Sequence, residues 1–138
     1  MLLKESIDSL DPERSLPIIN VNAGYTVPVV VRAGYEWNFL TRIVRSPSVS
    51  PLDLPLVVLD CERDMPINVS FSAPYEGLKV SRAEGLFNDE FTQIDGEVFT
   101  PSTAGVYVYS VEASFKKGSI IYYFALEVRD FTGGNNLP

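Results

Sequence analysis

Residues 104–130, AGVYVYSVEASFKKGSIIYYFALEVRD, form two runs of alternating side chains around a lysine–glycine break. A period of two marks a half-buried strand, so this stretch asks for a β-hairpin inside a sheet with one buried face. Tyr107, Tyr109, Val111, Ala113 and Phe115 share one face of the first strand, and Ile120, Tyr122, Phe124, Leu126 and Val128 share one face of the second. With Lys117-Gly118 as a two-residue loop, Phe115 is expected opposite Ile120, Ala113 opposite Tyr122, Val111 opposite Phe124 and Tyr109 opposite Leu126. Ser110, Glu112, Ser114, Lys116, Glu127 and Arg129 fall on the reverse face, and a one-residue slip would carry them into the core. Ile121 and Tyr123 also fall on that reverse face. They are a pair of surface apolar residues or a face covered by the N-terminal arm, or else a small binding patch.

The remainder of the chain is punctuated in the same style. Leu3, Ile7 and Leu10 stand at near-helical spacing, so residues 1–15 read as a short helix or an arm. From Leu16 onward, short β-type runs are broken by Pro, Gly, Asn and Asp. PIINVN, YTVPVVVR, YEWNFL, LVVLDC, INVSFS and GLKVSR are the expected strands ahead of the hairpin, with Pro28 marking an edge or bulge. SPSVSPLDLP reads as an extended connection between sheets. FTQI and EVFT flank Asp95-Gly96, a pair suited to a type I′ hairpin turn. Eight or nine short strands predict a two-sheet β-sandwich over residues 16–130, with a closed barrel as the alternative, and a flexible tail over 131–138.

The chain has 138 residues, 46% of them hydrophobic and 21% charged, which fits one globular domain. Its net charge of −7 argues against nucleic acid, which requires a cationic footprint, and against anionic lipid. No apolar run reaches the length of a membrane span, so no membrane insertion is expected, and MLLKESIDSL is too short in its apolar run for a signal peptide. One cysteine, Cys61, excludes an internal disulfide and fits the cytosol as well as a disulfide-free envelope protein.

The chemistry-bearing residue types are sparse. The absence of histidine removes histidine triads, bases and metal ligands. Cys61 follows LVVLD and reads as a packing residue rather than a nucleophile. Asp60, Glu62 and Asp64 alternate, so on a strand they could offer oxygens to Ca²⁺, but the interposed Arg63 favours a solvated strand end. NDEFTQIDGE concentrates carboxylates without EF-hand spacing. Tyr35, Trp37 and Phe39 share a strand face that reads as core in preference to a stacking platform. Asn68 opens an Asn-Val-Ser acceptor triplet, discounted because it lies within an expected strand. No catalytic, cofactor-binding or metal-binding residue is assigned.

The segment TPSTAGVYVYSVEASFKKGSIIYYFALEV resembles the last two strands of bacterial immunoglobulin-like modules, through Pro-x-x-x-Gly-x-Tyr-x-Tyr, a basic–glycine turn and Tyr-x-Phe. With YEWN, SPSVSPLDLP and INVSFSAPYEGLKV, the stretch from Pro17 to Asp130 is similar to envelope or lipoprotein-type domains of Gram-positive spore-formers whose function is unknown. Members of that group often carry cysteines near the tryptophan, where this chain has Glu36. The resemblance implies an all-β, two-sheet immunoglobulin-like β-sandwich with a short N-terminal arm or helix. It also implies an exported, cell-envelope setting with the signal segment missing from this chain; a cytoplasmic setting stays compatible.

The functional expectation is a non-catalytic binding or interaction module for a protein or envelope ligand, monomeric or weakly oligomeric. The alternative is a structural or assembly component, of phage or cell surface, that pairs through an edge strand such as TVPVVVR. A carboxylate-based hydrolase and a protease inhibitor using APYEG or PSTAG are the weaker readings.

Overall fold

The computed structural model describes residues 16–39 and 42–129. The expected N-terminal arm and C-terminal tail lie outside the described residues. Nine strands follow in order: β1 (Ile19–Ala23), β2 (Val31–Asn38), β3 (Ile43–Ser46), β4 (Val58–Cys61), β5 (Ile67–Phe71), β6 (Gly77–Glu84), β7 (Thr92–Ile94), β8 (Gly105–Phe115) and β9 (Gly118–Val128). They form an all-β sandwich of two sheets packed face to face. The small sheet pairs β1 with β5; the large one runs β3-β2-β9-β8-β6-β7, with β4 parallel to β9. The centre is the hairpin of the two longest strands, β8 and β9. On its other side β9 bonds β2 through its first half and β4 through its last residues.

The alternating faces fall as the sequence demands. Tyr109, Val111, Ala113, Ile120, Tyr122, Phe124, Leu126 and Val128 are buried between the sheets, and Tyr109 stacks on Phe124 at 4.9 Å. Fully burying one such large side chain contributes on the order of 2–3 kcal/mol from apolar area. Phe71 of the small sheet meets Phe115 edge-on at 5.3 Å, and Phe115 meets Trp37 at 5.7 Å. Those edge contacts lock the sheets together at one end. Trp37 and Phe39 are buried and Tyr35 packs against the core, as the reading of YEWNF as core requires.

The hairpin register differs from expectation. Phe115 pairs with Gly118, Ala113 with Ile120, Val111 with Tyr122 and Tyr109 with Phe124, so the turn is Lys116-Lys117. The reason lies outside the hairpin. Gly118 also pairs with Trp37 of β2, and a Cβ there would sit inside the contact distance of the Glu36 carbonyl oxygen. The glycine serves close approach of a third strand, not turn conformation. Because the register moved by two residues, every side chain kept its face.

Three further expectations are corrected. YTVPVVVR and YEWNFL do not form separate strands; only their Val31–Asn38 portion is strand, paired with β9 from Val31 to Trp37 and with β3 from Tyr35 to Asn38. SPSVSPLDLP leads from β3 to β4 within one sheet, not between sheets. It crosses the outer face of the large sheet, where Val49 N–H donates to the Ala33 carbonyl at 3.0 Å and the Ser48 backbone crowds Gly34. Asp95-Gly96 is not a hairpin turn. Gly96 takes φ +80° and the chain crosses there from β7 to the small sheet, where Ile67 N–H donates to Val98 O at 2.8 Å.

Candidate functional site

Ile121 and Tyr123, the surface patch expected from strand parity, are half-buried. The Phe91 ring lies 5.9 Å from that of Tyr123. Burial and the nearby Glu112 carboxylate push the Tyr123 phenol up, and the nearby Ser48 and Ser110 hydroxyls oppose the rise. Among the described residues, the cover comes from the 46–57 connection and the β6–β7 loop, and the N-terminal arm lies outside them. Small residues on that outer face (Ala33, Ala83, Ser81, Ser110 and Ala125) are buried under it, so part of the expected polar face is interior.

The acidic triplet is dispersed into local contacts. Asp60 ion-pairs with Arg129 at 2.9 Å, Asp64 accepts from the Ser102 hydroxyl, and Glu62 lends its carbonyl to Thr100 Oγ1 at 2.6 Å. Among the described residues no three acids, histidines or cysteines gather at metal-binding distance. Water screens an exposed ion pair of this kind, so it adds little to stability. Cys61 is buried, and its thiol is pushed up to about 11 by that burial and by Asp60. At neutral pH it stays protonated, so it is a poor nucleophile.

Two tyrosine hydroxyls on the inner face of β8 have opposite fates. Tyr107 Oη donates to the Thr103 carbonyl four residues upstream at 2.8 Å, reaching into the PSTAG loop. Tyr109 Oη is buried without a partner at bonding distance, although Arg82, its cross-strand neighbour, lies near enough to oppose the upward pull of burial on its pKa. Tyr107→Phe is expected to cost about 1 kcal/mol in urea unfolding, the net value of one hydrogen bond plus an orphaned carbonyl. Tyr109→Phe should be neutral or stabilising, because it removes a desolvated hydroxyl that has no partner to lose. Equal costs at the two positions would refute this distinction.

A concave surface of mixed polar and apolar lining lies elsewhere. β6 and β7 extend the large sheet past the two-stranded small sheet. Leu78, Val80 and Arg82 share the inner face with Ala113, Val111 and Tyr109, and Ile94 and Thr92 of β7 stand beside them. The edge of β5 forms the wall, and residues 95–98 close one end. The resulting groove holds about 300 Å³. It shares Ile94 with a polar recess of about 420 Å³ lined by Arg82, Glu84, Asn88, Glu90 and Thr92. Leu78 is 36% exposed on its floor. No residue pattern announced this groove, because it exists only where the strand count of one sheet exceeds that of the other. The expected Asp95-Gly96 hairpin would have kept FTQI beside EVFT and closed the space.

A second apolar surface is the segment after β1, where Tyr25 is 94% exposed and Val27 64%. Gly24 makes its turn at φ +62°, and Thr26 Oγ1 anchors it to the Asp60 carbonyl at 2.8 Å. Tyr25 and Thr26 line a recess of about 270 Å³ there together with Ala23, Asp60, Cys61, Glu62 and Met65. Among the described residues no helix is long and apolar enough to cross a membrane. Compared with family models, with curated proteins and with solved structures, the chain matches none.

Proposed function

We propose that the protein is a non-catalytic interaction module that binds a polypeptide partner in the groove between β5 and the β6–β7 face. The observation that carries this reading is the groove along the inner face of β6 and β7, with the exposed Leu78 and the half-buried Ile94 on its floor beside the buried Val80. Apolar residues on the core side of a sandwich sheet are normally covered by the facing sheet, and here that sheet stops two strands wide. Immunoglobulin-like character is supported by the Tyr107–Thr103 bond, which has the form of a tyrosine corner. A cell-envelope setting is supported by the resemblance of the last two strands to envelope modules.

Selection of a random peptide library on the full chain tests the reading. Selected peptides should shift backbone resonances of Val69, Val80 and Ile94 and should lose most of their affinity for Leu78→Lys. Selected peptides that map to other surfaces, or none at all, would defeat it. Assembly through Thr26–Arg32 is the weaker reading, since that segment leads into a strand already paired with β9 and β3. A stable, concentration-independent oligomer in light scattering would favour assembly instead.

A further inference from the structure

We infer that the outward edge of β5 is a strand-addition site for an extended, basic segment of a partner protein. The inference rests on the groove being an interaction site and adds the mode of binding and the chemistry of the occupant.

The backbone argument starts at the β1–β5 ladder. Ser72 N–H donates to Ile18 O at 2.8 Å, which makes 18/72 a hydrogen-bonded pair. In an antiparallel ladder bonded and non-bonded pairs alternate, so Asn20–Ser70 and Asn22–Asn68 are bonded pairs as well. Ile67, Val69 and Phe71 then turn their N–H and C=O groups to the opposite edge. Ile67 verifies this, because its N–H reaches Val98 O on that side. Thr100 N–H continues the same pairing to Met65 O at 2.7 Å. In the other direction the neighbouring chain leaves at Gly96. Among the described residues, the outward groups of Val69 and Phe71 have no partner.

Those groups face a floor that suits a strand. A strand bonded to β5 would lie about 4.8 Å from it and about 10 Å from the large sheet, the ordinary spacings of a sandwich. Alternate side chains would meet Leu78, Val80 and Ile94. The small sheet would thereby gain its third strand, as in other cases of β-strand addition.

Charge selects the occupant. Glu84, Glu90, Asp95 and Glu97 are exposed around the groove and its recess, and Arg82 is the cation among the residues lining them. Arg82 is itself held over the Tyr107 ring at 5.4 Å. A peptide with alternating apolar residues and lysine or arginine at its ends would match both floor and rim. Glutamate at those ends would be repelled.

The test uses the full chain and three synthetic peptides. The first is acetyl-KTVTVTVTK-amide, the second has glutamate for both lysines, and the third carries N-methyl groups on its valines. In the peptide-free chain the Val69 and Phe71 amides should exchange at least tenfold faster than the Ser70 amide. The lysine peptide should slow both at least tenfold and bind at least tenfold tighter than the other two. Leu78→Lys should weaken it at least tenfold while leaving the exchange of the β8–β9 amides unchanged. Protection of Val69 and Phe71 without peptide would overturn the inference, since a terminus or a second copy would then fill the slot. Equal binding of the N-methylated peptide would overturn strand addition, and equal binding of the glutamate peptide would overturn the basic preference. Library peptides that still map to the groove would, in either case, leave the broader interaction reading standing.

Discussion

Gly118→Ala is expected to destabilise the protein by about 3 kcal/mol, a large share of the roughly 5–15 kcal/mol that holds a domain of this kind together. The new Cβ would meet the Glu36 carbonyl oxygen well inside contact distance and would stand 3.0 Å from Trp37 Cα. Both obstacles are backbone, so no side chain can rotate away. β2 must instead separate from the start of β9. The separation strains the Asn38 N–H to Lys117 O bond of 2.8 Å and the edge contact of Trp37 with Phe115. Overpacking alone costs roughly 1–3 kcal/mol, and each weakened hydrogen bond adds about 1. Gly96→Ala is the matched control. Its Cβ would enter open space, and its positive φ alone sets the cost at about 1 kcal/mol. Urea unfolding of both variants decides the matter. Gly118→Ala within about 0.5 kcal/mol of the parent, the ordinary scatter of a surface substitution, would show that β2 does not depend on this close approach.

The same glycine shows where sequence reading stops. The faces of β8 and β9 are legible because a period of two is local and survives any even shift in register. The register is not local. A lysine–glycine pair resembles a turn until Glu36 arrives beside it, and only the third strand reveals that the glycine is needed there. Asp95-Gly96 is misleading for a related reason. Aspartate–glycine suits any sharp bend, and the positive φ of Gly96 is spent on crossing between sheets. β3 went unexpected because Ile43–Ser46 is short and exposed, with its pattern set by pairing to β2 rather than by a buried face. Tyr123 was readable as an outer-face residue, but its cover by Phe91 and Ser48 depends on loops whose course no alternation encodes. The groove follows from the unequal width of the two sheets, a property of the assembled fold that belongs to no single segment.

Raising the pH from 8 to 12 is expected to remove stability steeply, and the tyrosines of the core determine where. Burial pushes the Tyr109 phenol up to about 12, with Arg82 opposing the rise and Cys61 and Tyr107 adding to it. In the unfolded chain the same phenol titrates near 10. Between those values the unfolded state has released a proton that the folded state keeps. Its contribution is therefore fully present below about pH 10 and disappears as pH rises toward 12. At 1.36 kcal/mol per pH unit the loss from Tyr109 is about 3 kcal/mol. Cys61 acts in the same direction in an earlier window, from the ordinary thiol value of 9.0 to about 11. Tyr107, Tyr122 and Tyr123 are also raised, each chiefly by burial, and steepen the fall. Urea midpoints at pH 8, 10 and 11, with phenolate absorbance read in parallel, measure the effect. Tyr109→Phe should match or exceed the parent at pH 8 and lose less stability above pH 10, because it keeps the ring and removes the proton. A midpoint at pH 11 equal to that at pH 8 would mean that these hydroxyls ionise within the folded state, and so that the inner face of β8 and β9 admits water.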